Sequence, residues 1–194
     1  MMVRKTVHYW EAIAIDETNK NTPKLEPPPD LSGAGGSWPI IDEIADPTVV
    51  RQQNNLSCAP ACGEMLLQDC GINDITQMDI ANETGVPTDA LGLARALNIL
   101  DPDDSRQWIG GSLTIPGATE SQLFDTLNET GTWGALLKEW RPGIKLSHVV
   151  IVDGIDDRGK VLIRDPWEGT RYKMTREDFL NYWTTNAIFQ RKRQ

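Results

Sequence analysis

Among the 194 residues, Cys58 stands where a thiol can become a nucleophile. It follows the polar, turn-forming run Gln52-Gln53-Asn54-Asn55-Leu56-Ser57, and an apolar helical stretch begins directly behind it. Pro60 suits the first turn of a helix, where its missing N–H costs no hydrogen bond, and Gly71 after Cys70 is a natural stop. The pattern predicts a helix of about three turns with Cys58 at its tip. Free N–H groups and the macrodipole favour an anion there, and a nearby cation can bring a thiol from about 8.5 down to ~3.5–7.5.

Such a thiolate needs an acid–base partner, and the chain holds two histidines, His8 and His148. His8 lies near the N-terminus, outside the expected folded domain. His148 opens the strongest strand signal, His148-Val149-Val150-Ile151-Val152, just after the Arg141-Pro142-Gly143 turn, so it is expected at a sheet edge. Asp156-Asp157-Arg158-Gly159 makes a hairpin turn, and the strand returning from it ends at Asp165. Asp165 can therefore face His148 across the hairpin and fix its tautomer. Taken singly, His148 reads as a satisfied core histidine and Asp165 as a turn acid before Pro166. Taken together, in this order and on these elements, they read as a base and its orienter. Cys62, one turn along the helix, and Cys70 are read as packing residues.

Other segments must position this set. Val7 to Ile15 reads as a strand, and Asp16 to Pro39, with Pro27-Pro28-Pro29 and Gly33-Ala34-Gly35-Gly36, as a linker or extended arm. The division is an arm over 1–38 and a folded domain over 39–194. Helices are expected over Ile75 to Thr84, Asp89 to Leu100, and from the Thr119-Glu120-Ser121-Gln122 capping box to about Glu129. Trp108 to Ile115 is extended but broken by Gly110-Gly111, and Trp133 to Leu137 is a first strand. Thr175 caps a helix reaching about Trp183, and Ala187 to Gln190 closes the sheet. Helices followed by an antiparallel sheet make an α+β fold.

Composition narrows the partners. A formal charge of −9 argues against nucleic acid or an anionic membrane, and the basic Gln190-Arg191-Lys192-Arg193 end reads as a solvated tail. No apolar run approaches the ~20 residues of a membrane span, and no signal peptide is read, so a cytoplasmic, reducing location is expected. Three cysteines within one helix make a poor disulfide framework. Their spacing with histidine is no recognised zinc pattern, so neither metal nor cofactor is expected.

A glutamine, five residues, then a cysteine opening a helix resembles the papain-like cysteine proteases. His148 and Asp165, seventeen apart, complete the family's Cys-His-Asp/Asn order, and Asp165-Pro166-Trp167 supplies the tryptophan that shields the His–acid bond. The likeness is to the compact bacterial branch: bacteriocin-processing double-glycine peptidases and stand-alone effector proteases. It spans roughly Pro39 to Gln190, with 90 residues between Cys58 and His148 (148 − 58). The resemblance implies a papain-like fold and the following roles. Cys58 attacks the scissile carbonyl, His148 moves the proton and Asp165 holds the imidazole. The Gln52 amide and the Cys58 backbone N–H form the oxyanion hole, with Gln53 the register alternative. Ala59, Ser147 and Trp167 are the substrate-binding candidates. Ala59 stands where a glycine is usual and Ser57 where the bacteriocin-processing enzymes carry aspartate; both changes bear on the subsite beside the nucleophile.

The expected activity is peptide-bond hydrolysis in a protein or peptide substrate, after small residues such as Gly-Gly. A glutamine deamidase or acyl transferase uses the same triad, and a silent binding module descended from a peptidase is the non-enzymatic reading. The likeness also implies a delivered interbacterial toxin met by an immunity protein. Gly35-Gly36 resembles a double-glycine leader end, although a flexible linker is the plainer reading.

Overall fold

The computed structural model describes residues 37–142 and 144–193. The elements, in order, are β1 (Ile41–Ala45), α1 (Cys58–Asp69), α2 (Gln77–Thr84), α3 (Ala90–Leu100), β2 (Arg106–Ser112) and α4 (Glu120–Asn128). They continue with β3 (Trp133–Arg141), β4 (Ile144–Ile155), β5 (Lys160–Asp165), β6 (Thr170–Thr175), α5 (Arg176–Tyr182) and β7 (Trp183–Lys192). Strands assemble into one sheet in the order β1-β6-β5-β4-β3-β7-β2, every neighbouring pair antiparallel. The α+β class holds: the cysteine-bearing helix packs on an antiparallel sheet.

Local chemistry sets most helix ends. Thr76 caps α2 and Thr119 caps α4, each in a reciprocal capping box, while Asp89 and Thr175 cap α3 and α5. Gly85, at φ +71°, ends α2 in a conformation that side-chain-bearing residues avoid.

The sheet is covered on both faces, which is why β4 reads as an unbroken apolar run. Val149 and Ile151 face the cluster built by α1, α2 and α3, and Val150 and Val152 face the aromatic cluster of Trp133, Phe124, Phe179 and Trp183. Gly63 lets α1 approach its neighbours: a Cβ there would sit 2.8 Å from Leu93 Cδ1 and 3.0 Å from Ile80 Cδ1. Buried Arg164 reaches from β5 to Asp69 at the end of α1 (Nη1–Oδ1 3.2 Å) and to Asp153 on β4 (Nη2–Oδ1 2.8 Å). That cation also neutralises an acid standing at the negative end of the helix.

Several expectations change. β3 runs on to Arg141 and β4 starts at Ile144, so His148 is the fifth residue of its strand rather than the first. β4 is the middle strand of seven, so His148 is not at a sheet edge. The polar Lys138-Glu139 stretch concealed this extension, which comes from cross-strand pairing and not from local propensity. β7 lies between β3 and β2 and so does not close the sheet; its edges are β1 and β2. Both β1 and β6 went unread. Trp38, assigned to the arm, is 2% exposed and packs into the aromatic core. The Val7–Ile15 strand, His8 and Gly35-Gly36 lie outside the described residues.

Candidate active site

Cys58 is the first residue of α1, partly exposed at its tip. The residue before it, Ser57, makes no side-chain cap bond to the helix. Its hydroxyl turns back to Asn54, accepting from the backbone N–H at 3.0 Å and donating to the carbonyl at 3.1 Å. The first N–H groups of α1 are thereby left without the usual hydroxyl cap and favour negative charge at Cys58.

His148 reaches that tip from β4, and Asp165 meets it from the end of β5. His148 Nε2 lies 2.7 Å from Asp165 Oδ1, both residues essentially without exposure. With Nε2 engaged, Nδ1 is the ring nitrogen left for the Cys58 sulfur, and each group favours the charged form of the other. Asp165 is held further by the Trp167 backbone N–H (2.9 Å to Oδ1) and the Tyr172 hydroxyl (2.9 Å to Oδ2).

The electrostatics follow from this geometry. Burial works against a thiolate at Cys58, but the hydrogen bond and charge of His148, with backbone bonds from Val149 and Ala59, bring the thiol below its ordinary value. Burial likewise opposes a charged His148, yet Asp165's charge and hydrogen bond, then Cys58, push the imidazole up to about 10. Asp165 is lowered against its burial by the charge and hydrogen bond of His148, then by Trp167 and Tyr172. The arrangement suits a thiolate–imidazolium pair. Four residues along, Cys62 shows the opposite: burial raises it well above the ordinary thiol value, and its Sγ donates to the Val149 carbonyl at 3.3 Å.

The sequence of such a site has known relatives. Residues 45–187 match the Peptidase_C39 like family. The chain belongs to that family. It is a papain-fold cysteine-protease domain. It is also 39% identical over 158 residues to Cysteine protease effector 1 of Escherichia coli O1:K1:H7, a match covering 81% of this chain and 30% of that protein. The chain thus spans under a third of its curated relative. Among solved structures, the peptidase domain of Streptococcus ComA, a bi-functional ABC transporter involved in a quorum-sensing pathway, overlays with a TM-score of 0.59 at 22% identity. That overlay covers 74% of this chain and 97% of that one. The Streptococcus mutans ComA peptidase domain gives a TM-score of 0.51 at 20% identity over 74% of this chain and 98% of its own. These overlays show the same fold.

Within this C39-like domain, Gln52 is buried and Gln53 exposed. The Gln52 backbone N–H donates to the Pro166 carbonyl at 2.8 Å, tying its loop to the segment after Asp165. Its side-chain Nε2 donates to the Asn54 carbonyl at 2.6 Å, which leaves a second amide hydrogen, and its buried Oε1 has no partner. The substrate-binding candidates divide. Ser147 is exposed beside His148, whereas Ala59 and Trp167 are each 1% exposed. Neither buried side chain offers a face to substrate; one supports Cys58 through its backbone, the other Asp165 through its backbone N–H.

Three site residues went unread. Tyr172 sits on the overlooked β6. Trp38 stacks on the His148 ring, centroids 6.3 Å apart and planes within 11°. Gln77, at the start of α2, accepts from the Gln53 N–H (3.0 Å) and donates to the Arg51 carbonyl (2.9 Å), so one side chain holds the backbone on both sides of Gln52. Tyr172 alternates with Met174 among polar residues, a strand signal that was there to find. Nothing local marks Trp38 or Gln77. Among the described residues, no cluster of His, Cys, Asp and Glu could hold a metal, and no helix is long and apolar enough to cross a membrane.

Proposed function

We propose that the domain hydrolyses peptide bonds through Cys58, His148 and Asp165. The observation that carries this reading is the buried His148–Asp165 bond of 2.7 Å beside Cys58, with His148 lowering the thiol and Asp165 raising the imidazole. The Cys58 thiolate attacks the scissile carbonyl carbon, and its C=O electron pair moves onto oxygen. The Cys58 backbone N–H and the second amide hydrogen of Gln52 receive that oxyanion. Collapse breaks the C–N bond as His148 delivers its proton to the departing amine, leaving a thioester on Cys58. Water, deprotonated by His148, then attacks the thioester, releasing the new carboxylate and restoring the thiolate.

The relative's name, a cysteine protease effector, supports an effector setting; delivery into a target cell and an immunity protein that neutralises the domain complete that reading. The resemblance to the double-glycine peptidases extends the reading to cleavage after small residues such as Gly-Gly. Comparative N-terminal proteomics of cells expressing wild type or Cys58→Ala tests the chemistry. New N-termini that require Cys58 are expected, with small residues before the cut. A one-dalton gain on an intact target, with no new N-terminus, overturns hydrolysis in favour of deamidation.

A further inference from the structure

The line of hydrogen bonds continues past Asp165. Tyr172 donates its hydroxyl proton to Asp165 Oδ2 at 2.9 Å, and its phenol oxygen accepts from Trp38 Nε1 at 3.2 Å. Trp38 lies parallel to His148, so the four side chains close a ring: His148, Asp165, Tyr172, Trp38 and back to His148. All four are buried. They come from β4, β5, β6 and the segment ahead of β1, and the matched family region begins only at residue 45, downstream of Trp38.

The direction of these bonds carries the argument. An indole N–H can only donate, whereas a phenol both donates and accepts. With Trp38 Nε1 on the phenol oxygen, the single Tyr172 proton is directed toward Asp165. Asp165 then has donors on both oxygens, which fixes the carboxylate plane and, through it, the imidazole. Parallel stacking on Trp38 hinders rotation of the same ring. We propose that Tyr172 and Trp38 are positioning residues for the His148–Asp165 pair, with Trp38 setting the direction of the Tyr172 hydroxyl. The segment N-terminal to the matched family region is thereby part of the catalytic machinery.

This inference rests on the Cys58–His148 reading, so its test separates the two. In the full chain, the Cys58 alkylation rate with iodoacetamide near pH 6, well below an ordinary thiol pKa of about 8.5, reports the ion-paired thiolate without any substrate. Peptide mass mapping distinguishes Cys58 from Cys62 and Cys70. Tyr172→Phe is expected to slow Cys58 labelling about tenfold, through loss of one charge-assisted hydrogen bond. Trp38→Phe, which keeps a ring on His148 but loses the N–H, is expected to slow it about threefold. The double variant should label no slower than Tyr172→Phe alone, because the indole N–H acts only through the hydroxyl. Wild-type rates in Tyr172→Phe, additive losses in the double variant, or simultaneous labelling of buried Cys62 each overturn the proposal, the last by showing a loosened scaffold. Wild-type Cys58 labelling no faster than Cys70 overturns the triad reading itself.

Discussion

His148 and Asp165 sit at 1% and 0% exposure on neighbouring strands of one sheet, while Gln52, on the other side of Cys58, sits on a loop. The base side is held by ladder pairing, by Trp167, Tyr172 and Trp38, and by Arg164 anchoring α1 to the adjoining strands. The proposed oxyanion side, the loop bearing Gln52, hangs from discrete ties: Gln52 N–H to Pro166, its Nε2 to Asn54, Ser57 to Asn54, and the Gln77 clamp. A sheet shares positional strain among many bonds, whereas a loop held by single side chains depends on each. Substitutions remote from substrate should therefore act separately on the two sides, those in the loop on turnover and those behind the sheet on the reactivity of the thiol.

Cys58→Ala removes the atom at which both sides meet and should lower turnover by at least about 10³-fold without lowering the melting temperature. Cys62→Ala is its counterpart. It should keep the rate but cost about 1 kcal/mol in urea unfolding, because it empties part of a packed core. Loss of activity in Cys62→Ala with the fold intact would sink the assignment of Cys58 as the nucleophile.

Next in size, Gln52→Ala should lower kcat by about 10²–10³ with little change in KM, as expected for a donor used mainly in the transition state. Gln53→Ala should have little effect, since that side chain points outward. Equal effects from the two glutamines would break the distinction.

Asp165→Asn probes the base side and should cost about ten- to a hundredfold in kcat. Its sharper readout is pH. The thiolate–imidazolium pair exists from the depressed Cys58 value up to the His148 value of about 10, so the wild-type rate should fall only as pH passes about 10. Folding follows the same signs. The stabilisation from His148 is complete below its ordinary value and lost as pH rises through about 10, while those from Cys58 and Asp165 are lost as pH falls through their lowered values. In Asp165→Asn burial acts on His148 without the carboxylate's offset, so the alkaline limb should move down by more than about one unit. An unmoved limb would show that Asp165 does not set the imidazole.

The two sides also differed in how well the sequence disclosed them. α1, with its Pro60 and Gly71 signals, and the capping boxes and N-caps of the other helices are local features, so their boundaries were legible to within a residue or two. The Cys58, His148, Asp165 order was legible because hairpin connectivity places Asp165 on the strand returning beside His148. β1 was not, since four of its five residues are exposed and it exists only by pairing with β6. Trp38 meets Tyr172 across 134 positions, and Gln77 meets Arg51 across 26, with no periodicity linking either pair. What failed to show was the support for each side, because it is made by tertiary proximity alone.

A smaller loss gives the closest test of the contrast. The Gln77 backbone N–H donates to Glu64 Oε2 on α1 at 2.6 Å, while its side chain clamps residues 51 and 53, so it links α1 to the loop bearing Gln52. Gln77→Leu keeps the bulk and the Glu64 tie but leaves the Gln53 N–H and the Arg51 carbonyl unpaired. The loop should then sample more positions for the Gln52 amide, lowering kcat about five- to tenfold. Cys58 alkylation should stay unchanged, because the His148 side is untouched. Gln77→Glu keeps an acceptor for the Gln53 N–H and should recover part of kcat, though its ionised carboxylate faces the Arg51 carbonyl. If Gln77→Leu slowed alkylation and turnover alike, the two sides of Cys58 would be one coupled unit, and the contrast between a shared sheet and a singly tied loop would fall.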